Sequence, residues 1–182
     1  MKKIALRPKD FFRSPRDFVA FFLATGLGAG LSPLAPGTLG SLLGLLVAYF
    51  AVPLPPSLRI LLWLSLTALG VWCSSLVAQK SPNPDHPSIV IDEVAGMWLT
   101  GWLLDFTDWQ LVIWAFVLFR IFDILKPWPI RTIDSWSKNQ VKKYQGAPVG
   151  YWWSGLGVMA DDVAAALIGL LIYFFTRAVF PL

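Results

Sequence analysis

Apolar residues run in long stretches along the chain rather than alternating with polar ones. Four stretches approach the roughly 20 residues with which a helix spans a bilayer: Leu39–Val52, Leu58–Val77, Trp109–Leu125 and Val163–Phe180. A fifth, Val94–Leu104, reaches that length only when it is extended back to about residue 90, and Phe18–Leu31 ends in a glycine-rich sequence. The pattern predicts an all-α polytopic membrane bundle with about five spans and a re-entrant or interfacial segment at 18–31.

Composition supports this interpretation. The 182 residues are enough for one domain, and 56% of them are hydrophobic while only 14% are charged, against roughly 25% charged residues in soluble domains. The single His86 excludes a histidine-rich metal cluster, and the single Cys73 cannot form an intrachain disulfide. We expect membrane lipids and no nucleic acid as partners, and the sequence leaves the oligomeric state open.

Basic residues concentrate in two polar segments, 1–17 and 126–161. Because short basic segments stay in the cytoplasm, both are expected there. We therefore divide the chain into a basic cytoplasmic N-terminal segment, 1–17, and a single integral-membrane domain, 18–182, with a cytoplasmic loop at about 126–161. This topology brings four polar, acidic or proline-rich patches to the cytoplasmic surface: "SPLAPGT", "DE", "FDILKPWP" and "ADD".

Two pairs of adjacent acids mark predicted helix starts. Asp92 and Glu93 precede one apolar run, and Asp161 and Asp162 precede another. Acids are favoured in a first helical turn, and aspartate is a good N-cap, so part of the pattern is explained without function. Gly96 lies one turn after the first pair and leaves room for an ion or for a closely packed helix.

Arg120, Asp123 and Lys126 recur at three-residue intervals, which makes them neighbours on a helix. The spacing fits an internal ion pair between Arg120 and Asp123 as well as a functional site. Pro127 disfavours helical geometry at Lys126, so the helix should end there.

The sequence "GLGAGLSPLAPGTLGSL" contains backbone amides and hydroxyls, among them Thr38, that suit a phosphate. Helix packing or a re-entrant loop explains its glycines equally well, because it is neither a Walker loop nor a dinucleotide fingerprint. His86 is interpreted as a solvated loop residue or as a proton donor.

The acidic positions, together with Arg120, Lys126 and Arg131, suggest a site for a phosphate and a hard cation. Oxygen ligands without cysteine suit Mg²⁺, which is usually held by one or two carboxylates and the phosphate of the substrate. Carboxylates alone would repel that phosphate. The residues themselves thus predict a metal and phosphate site at the cytoplasmic face.

Four sequences, "GLSPLAPGTLGSL", "SIVIDEVAGMW", "FRIFDILKPWPIRTID" and "GVMADDVAA", resemble the motifs of the phosphatidylglycerophosphatase A family. The resemblance covers most of the chain from about Thr25 to Gly169. It implies an enzyme of the bacterial cytoplasmic membrane whose active site faces the cytoplasm. The reaction implied is the Mg²⁺-dependent hydrolysis of phosphatidylglycerophosphate to phosphatidylglycerol and phosphate, a step of phospholipid biosynthesis.

The resemblance also implies residue roles. The catalytic acids are Asp92, Glu93, Asp123, Asp161 and Asp162, of which Asp92, Glu93, Asp123 and Asp162 are expected to hold Mg²⁺. The substrate phosphate is expected to contact Thr38, Arg120, Lys126 and Arg131. Attack by water and an aspartyl-phosphate intermediate both stay open.

One departure from the family pattern is an insert at about 135–156, which suits an interfacial anchor, a lid or a longer loop. It also leaves the role of Asp134 open. Three rival interpretations are an ion-coupled carrier, which uses buried acids and arginine, a CDP-alcohol phosphotransferase, whose long signature is absent here, and a non-catalytic scaffold.

Overall fold

A computed structural model describes residues 11, 14–81, 86–144 and 147–179. Within these ranges the chain is all-helical, as predicted, and contains no strand. A short 3-10 turn, Ala29–Leu31, separates the first two α-helices. The helices are α1 Pro15–Ala24, α2 Pro36–Ala51, α3 Pro56–Lys80, α4 Ile91–Gly101, α5 Trp109–Leu125, α6 Ile130–Lys143 and α7 Pro148–Val179.

Prolines set several helix boundaries. Proline is the first residue of α1, α2, α3 and α7, where its missing N–H costs no hydrogen bond and its fixed φ suits a helix. At the end of α5, Lys126 adopts a left-handed conformation with φ 42°, because Pro127 excludes the helical one. The predicted stop at "KPWP" is therefore confirmed.

Helix α4 lies at the centre and packs against α2, α3, α5 and α7. Small residues permit this close packing. A Cβ at Gly96 would lie 2.7 Å from the Phe119 ring and 3.1 Å from the Asp162 carbonyl oxygen. Gly96 thus allows α5 and α7 to pack closely against α4.

The last helix begins at Pro148, well before the predicted start at Val163. Asp161 and Asp162 therefore lie inside α7, and the prediction that they mark a helix start is wrong. Gly155 and Gly157 extend the helix through a region that lacked an apolar signal, because they let it approach Ser75 of α3 and Ser137 of α6 closely.

The expected loop at 126–161 is itself largely helical. It contains α6 and the first turns of α7, so the insert lengthens two helices that pack side by side. Ile130 and Ser137 of α6 are buried, and the Trp136 ring meets the Trp153 ring of α7 edge-on at 5.1 Å. The basic residues of α6 that follow are exposed: Arg131, Lys138, Lys142 and Lys143.

Two described helices, α3 and α7, are long and apolar enough to cross a membrane, and α2 is a shorter apolar helix. At ten residues, α1 is only about 15 Å long, too short to span. Of the predicted N-terminal segment 1–17, residues 1–10, 12 and 13 lie outside the described ranges, as does Phe180 at the end of the predicted last span.

Candidate functional site

A polar cleft of about 370 Å³ lies where α2 and α4 begin and α5 ends, against the middle of α7. The loop before α4 closes one side of it. This arrangement collects side chains from five parts of the chain that are distant in sequence. The lining residues include the predicted site residues Thr38, Asp92, Glu93, Arg120, Asp123, Lys126, Asp161 and Asp162.

Three of the predicted metal ligands form one cluster. Asp92 and Glu93 come from the first turn of α4 and Asp162 from the interior of α7, and one carboxylate oxygen of each lies within 4.8 Å of the others. Asp92 Oδ1, Glu93 Oε2 and Asp162 Oδ2 are buried without a hydrogen-bond partner among the described residues. Because buried oxygens are normally paired, the cluster has the chemistry of a hard-cation site.

Arg120 lies beside this cluster and carries the nearest positive charge. Its Nη1 donates to Asp123 Oδ2 at 2.6 Å and lies 3.8 Å from Glu93 Oε1. The same nitrogen donates to Ser41 Oγ of α2 at 3.2 Å. The expected Arg120–Asp123 ion pair is therefore present. Asp123, which was also expected to bind metal, lines the cleft, and its Oδ2 accepts the hydrogen bond from Arg120.

Lys126 supplies a second positive charge. Its left-handed backbone directs the ammonium to Asp161, with which it forms an ion pair, and to Asp134 Oδ1 at 3.5 Å. Burial disfavours the charged form, but Asp161 and Asp134 outweigh burial and raise the Lys126 pKa. The neighbouring acids therefore favour the charged form of Lys126.

Asp134, whose role the sequence left open, lies behind Lys126. It forms an ion pair with Lys138 at 2.8 Å, one turn along α6. Partial burial raises its pKa, but hydrogen bonds and charges from Lys138 and Lys126 prevail and lower it. The spacing of four between Asp134 and Lys138 indicates this pair, whereas the contact with Lys126 depends on how α6 folds back.

The first turn of α2 forms another wall, through Gly37 and Thr38. A helix N-terminus presents backbone N–H groups and a partial positive charge, which suits phosphate. A Cβ at Gly37 would collide with Glu93 Oε1 and lie 3.1 Å from Arg120 Nη2. Only glycine leaves this space open.

Arg131 and His86 differ in their position relative to the cleft. Arg131, expected to contact phosphate, is exposed on the first turn of α6 and does not line the cleft. His86 lines it, next to Pro87 and Ile89. The sequence left two interpretations of His86, a solvated loop residue and a proton donor. Its position in the loop just before Asp92 and Glu93 was the feature that could have predicted its place at the cleft.

The chain is similar to known proteins over most of its length. The sequence matches the model of the family described as Phosphatidylglycerophosphatase A over residues 22–177. It is 39% identical over 160 residues to the Phosphatidylglycerophosphatase A of Escherichia coli (strain K12), covering 88% of this chain and 84% of that protein. The protein of the same name from Haemophilus influenzae is 36% identical over 156 residues, covering 84% of this chain and 85% of that one.

A third relative carries a different name. The "Putative phosphatidylinositol-3-phosphatase" of Bacteroides thetaiotaomicron is 31% identical over 167 residues, covering 86% of this chain and 92% of that protein. No solved structure matches the chain. The extent and identity of the matches show that this chain belongs to the phosphatidylglycerophosphatase A family.

Proposed function

We propose that this chain hydrolyses the terminal phosphate monoester of phosphatidylglycerophosphate to give phosphatidylglycerol and phosphate. One observation carries the proposal: a cluster of three carboxylates with buried, unpartnered oxygens faces Arg120 and Lys126 across one cleft. Acidic side chains alone would repel a phosphate, and basic side chains could bind a phosphate without any acids beside them. The combination therefore suits a phosphate that is bound together with a cation. We choose this lipid as the substrate because two relatives are named Phosphatidylglycerophosphatase A.

We propose Mg²⁺ as the cation. Three carboxylate oxygens within 4.8 Å of one another fit a hard divalent ion, and their missing hydrogen-bond partners leave them available as ligands. Asp92, Glu93 and Asp162 would hold the ion, and Asp123 would join them directly or through water. When bound there, Mg²⁺ would supply Lewis-acid polarisation of the phosphate and a water of lowered pKa.

The chain's own residues would bind and orient the phosphate. Arg120 and Lys126 neutralise its oxygens, and the first turn of α2 offers backbone N–H groups and the Thr38 hydroxyl. Because both cations are held by acids already in the cleft, they are positioned before the substrate arrives. Arg131 does not line the cleft, so we assign it no such contact.

We further propose a multi-pass protein of the bacterial inner membrane with five spans, formed by α2, α3, α5, α7 and the segment at about 90–104, and with the cleft facing the cytoplasm. Helix α4 is only about 16 Å long, but it packs against the other four helices, and the residues on either side of it would complete this span. The lengths of α3 and α7 and the apolar character of α2 support the spans. The basic residues of α6, which lies beside the cleft, support the orientation by the positive-inside rule.

Phosphate release from phosphatidylglycerophosphate by the purified full-length protein with Mg²⁺ tests the function. We expect turnover by the wild type and a loss of at least about 100-fold in the folded Asp162→Asn variant, which corresponds to about 2.7 kcal/mol of transition-state stabilisation. Asp105→Asn is the matched control, since Asp105 is an exposed acid in the loop between α4 and α5.

Two outcomes would contradict parts of the proposal. If the protein hydrolysed phosphatidylinositol 3-phosphate in preference to phosphatidylglycerophosphate, the proposed substrate would be wrong but the proposed phosphate and metal site would stand. If the folded wild type released phosphate from neither lipid with Mg²⁺ or Mn²⁺, the acid cluster would instead belong to an ion-coupled carrier or a non-catalytic scaffold.

A further inference from the structure

The cleft is closed on its inner side where α2 meets α5. Arg120 Nη1 of α5 donates to Ser41 Oγ of α2 at 3.2 Å. Gly37 lies one helical turn before Ser41, and a Cβ at this position would contact the same Arg120 guanidinium. Beyond that point no further side-chain hydrogen bond joins the two helices among the described residues, and Pro36 of α2 and Ile124 of α5 both line the cleft.

The cleft wall becomes an exposed apolar surface at this position. Ile124 lines the cleft and is nevertheless 66% exposed. Residues close in sequence to the lining are more exposed still: Leu125 is 71% and Trp128 83% exposed, shortly after Ile124, and Leu34, next to the lining residue Ala35, is 80% exposed. We call Leu34, Ala35, Ile124, Leu125 and Trp128 the apolar rim.

The opposite walls lack such a transition. Ile89, before α4, and Val158, on α7, also line the cleft, but both are buried. Among the described lining residues, exposed apolar side chains therefore lie beside Arg120 and Lys126 only on the side formed by α2 and α5. The one exception is Pro87, in the loop before α4.

From this continuity we infer that the apolar rim holds the acyl chains of the phospholipid while its phosphate lies in the cleft. The inference rests on the proposed function. A lipid is polar at one end and apolar at the other, and moving its chains into water costs free energy for every methylene exposed. A cleft with a lateral apolar opening lets the head group reach Arg120 and Lys126 while the chains stay in an apolar environment.

The rim can be tested by reversible modification of single cysteines. The native Cys73 is fully buried, so a charged methanethiosulfonate reagent should modify only an introduced cysteine. Leu34→Cys and Leu125→Cys place the charge on the rim. Leu103→Cys is the control, because Leu103 is 54% exposed in the loop between α4 and α5, at the end of α4 that lies away from Asp92 and Glu93.

Two quantities separate the lipid chains from the head group: the KM for long-chain phosphatidylglycerophosphate and the inhibition constant of inorganic phosphate, which has no chains. Modification of either rim cysteine is expected to raise the KM about tenfold, to leave the inhibition constant unchanged and to be reversed by a reducing thiol. Modified Leu103→Cys should keep both values.

The inference is overturned if the modified rim cysteines keep the KM of the modified control. It is also overturned if the KM and the inhibition constant rise together, because the rim positions would then act on the phosphate cleft itself. Failure of the proposed function looks different, since the unmodified protein would release no phosphate from the lipid at all.

Discussion

Lys126 and Asp161 form an ion pair across the cleft, which joins the end of α5 to the middle of α7. The Asp161 side chain is almost completely buried, with 4% of its surface exposed, whereas Lys126 reaches it from the cleft side. This contact gives one residue two roles, because the same ammonium balances a buried carboxylate and faces the proposed phosphate position.

The two roles are separable by a double substitution. Lys126→Met removes the countercharge of a buried acid, and breaking a buried pair in this way typically costs about 3–5 kcal/mol. Since Lys126 keeps partial solvent access, we expect the lower end of that range. Adding Asp161→Asn should recover most of the lost stability without restoring phosphate release.

Thermal unfolding and phosphate release of the two single variants and the double variant measure this coupling. A double variant as unstable as Lys126→Met would show that the ion pair does not carry the stability. A double variant with wild-type activity would remove Lys126 from the phosphate site.

Gly37 tests the shape of the cleft. In Gly37→Ala the new methyl group collides with Glu93 Oε1 and crowds the Arg120 guanidinium, so we expect a loss of about 10- to 100-fold in kcat/KM, which is about 1.4–2.7 kcal/mol. Alanine favours a helix over glycine by about 1 kcal/mol, so the unfolding temperature should fall little.

Gly169→Ala is the matched control for this change. Gly169 is also a buried helical glycine, but a Cβ there would meet its nearest neighbour, Phe119 N, at an ordinary 3.6 Å. The control should keep kcat/KM. Equal activity of the two alanine variants would show that the space beside Gly37 has no function.

Local chemistry explains which features were predictable from the sequence. The bounds of α5 follow from an uninterrupted apolar run that ends at two prolines, and Trp109–Leu125 is observed as predicted. The Arg120–Asp123 pair follows from spacing within one helix. The placement of Asp92 and Glu93 in the first turn of α4 follows from the apolar run behind them.

Features that depend on packing between distant segments were not predictable. The early start of α7 depends on Gly155 and Gly157 lying against Ser75 and Ser137, and glycines alone read as helix breakers. The contact of Asp134 with Lys126 likewise requires α6 to fold back along α7. Periodicity describes one helix at a time and contains no information on such contacts.

Asp134 should make a pH-dependent contribution to stability. Its carboxylate is favoured in the folded state, so its folded pKa lies below the ordinary 3.8. A lowered acid pKa stabilises the fold above the ordinary value, and this stabilisation is lost as the pH falls through the folded pKa. Wild type should therefore unfold at a higher temperature than Asp134→Asn at pH 7, with a difference that shrinks below about pH 4.

The size of this effect should be small. Asp134 is only partly buried, and solvent-screened pairs contribute about 1 kcal/mol or less. Unfolding temperatures of both proteins between pH 3 and pH 7 provide the measurement. A difference that stays constant over this range would assign the effect to packing rather than to charge.

Metal binding should stabilise the folded protein, independently of turnover. Asp92, Glu93 and Asp162 repel one another at their observed separation, and a divalent cation relieves that repulsion only when the helices α4 and α7 are in place. A ligand at 100 times its Kd adds about 2.7 kcal/mol to the free energy of unfolding, so saturating Mg²⁺ should raise the unfolding temperature above that in EDTA. Asp162→Asn should lose most of this rise and Asp105→Asn should keep it. Equal unfolding temperatures of the wild type with Mg²⁺ and with EDTA would mean that the three acids hold no such ion, and the phosphate would then depend on Arg120 and Lys126 alone.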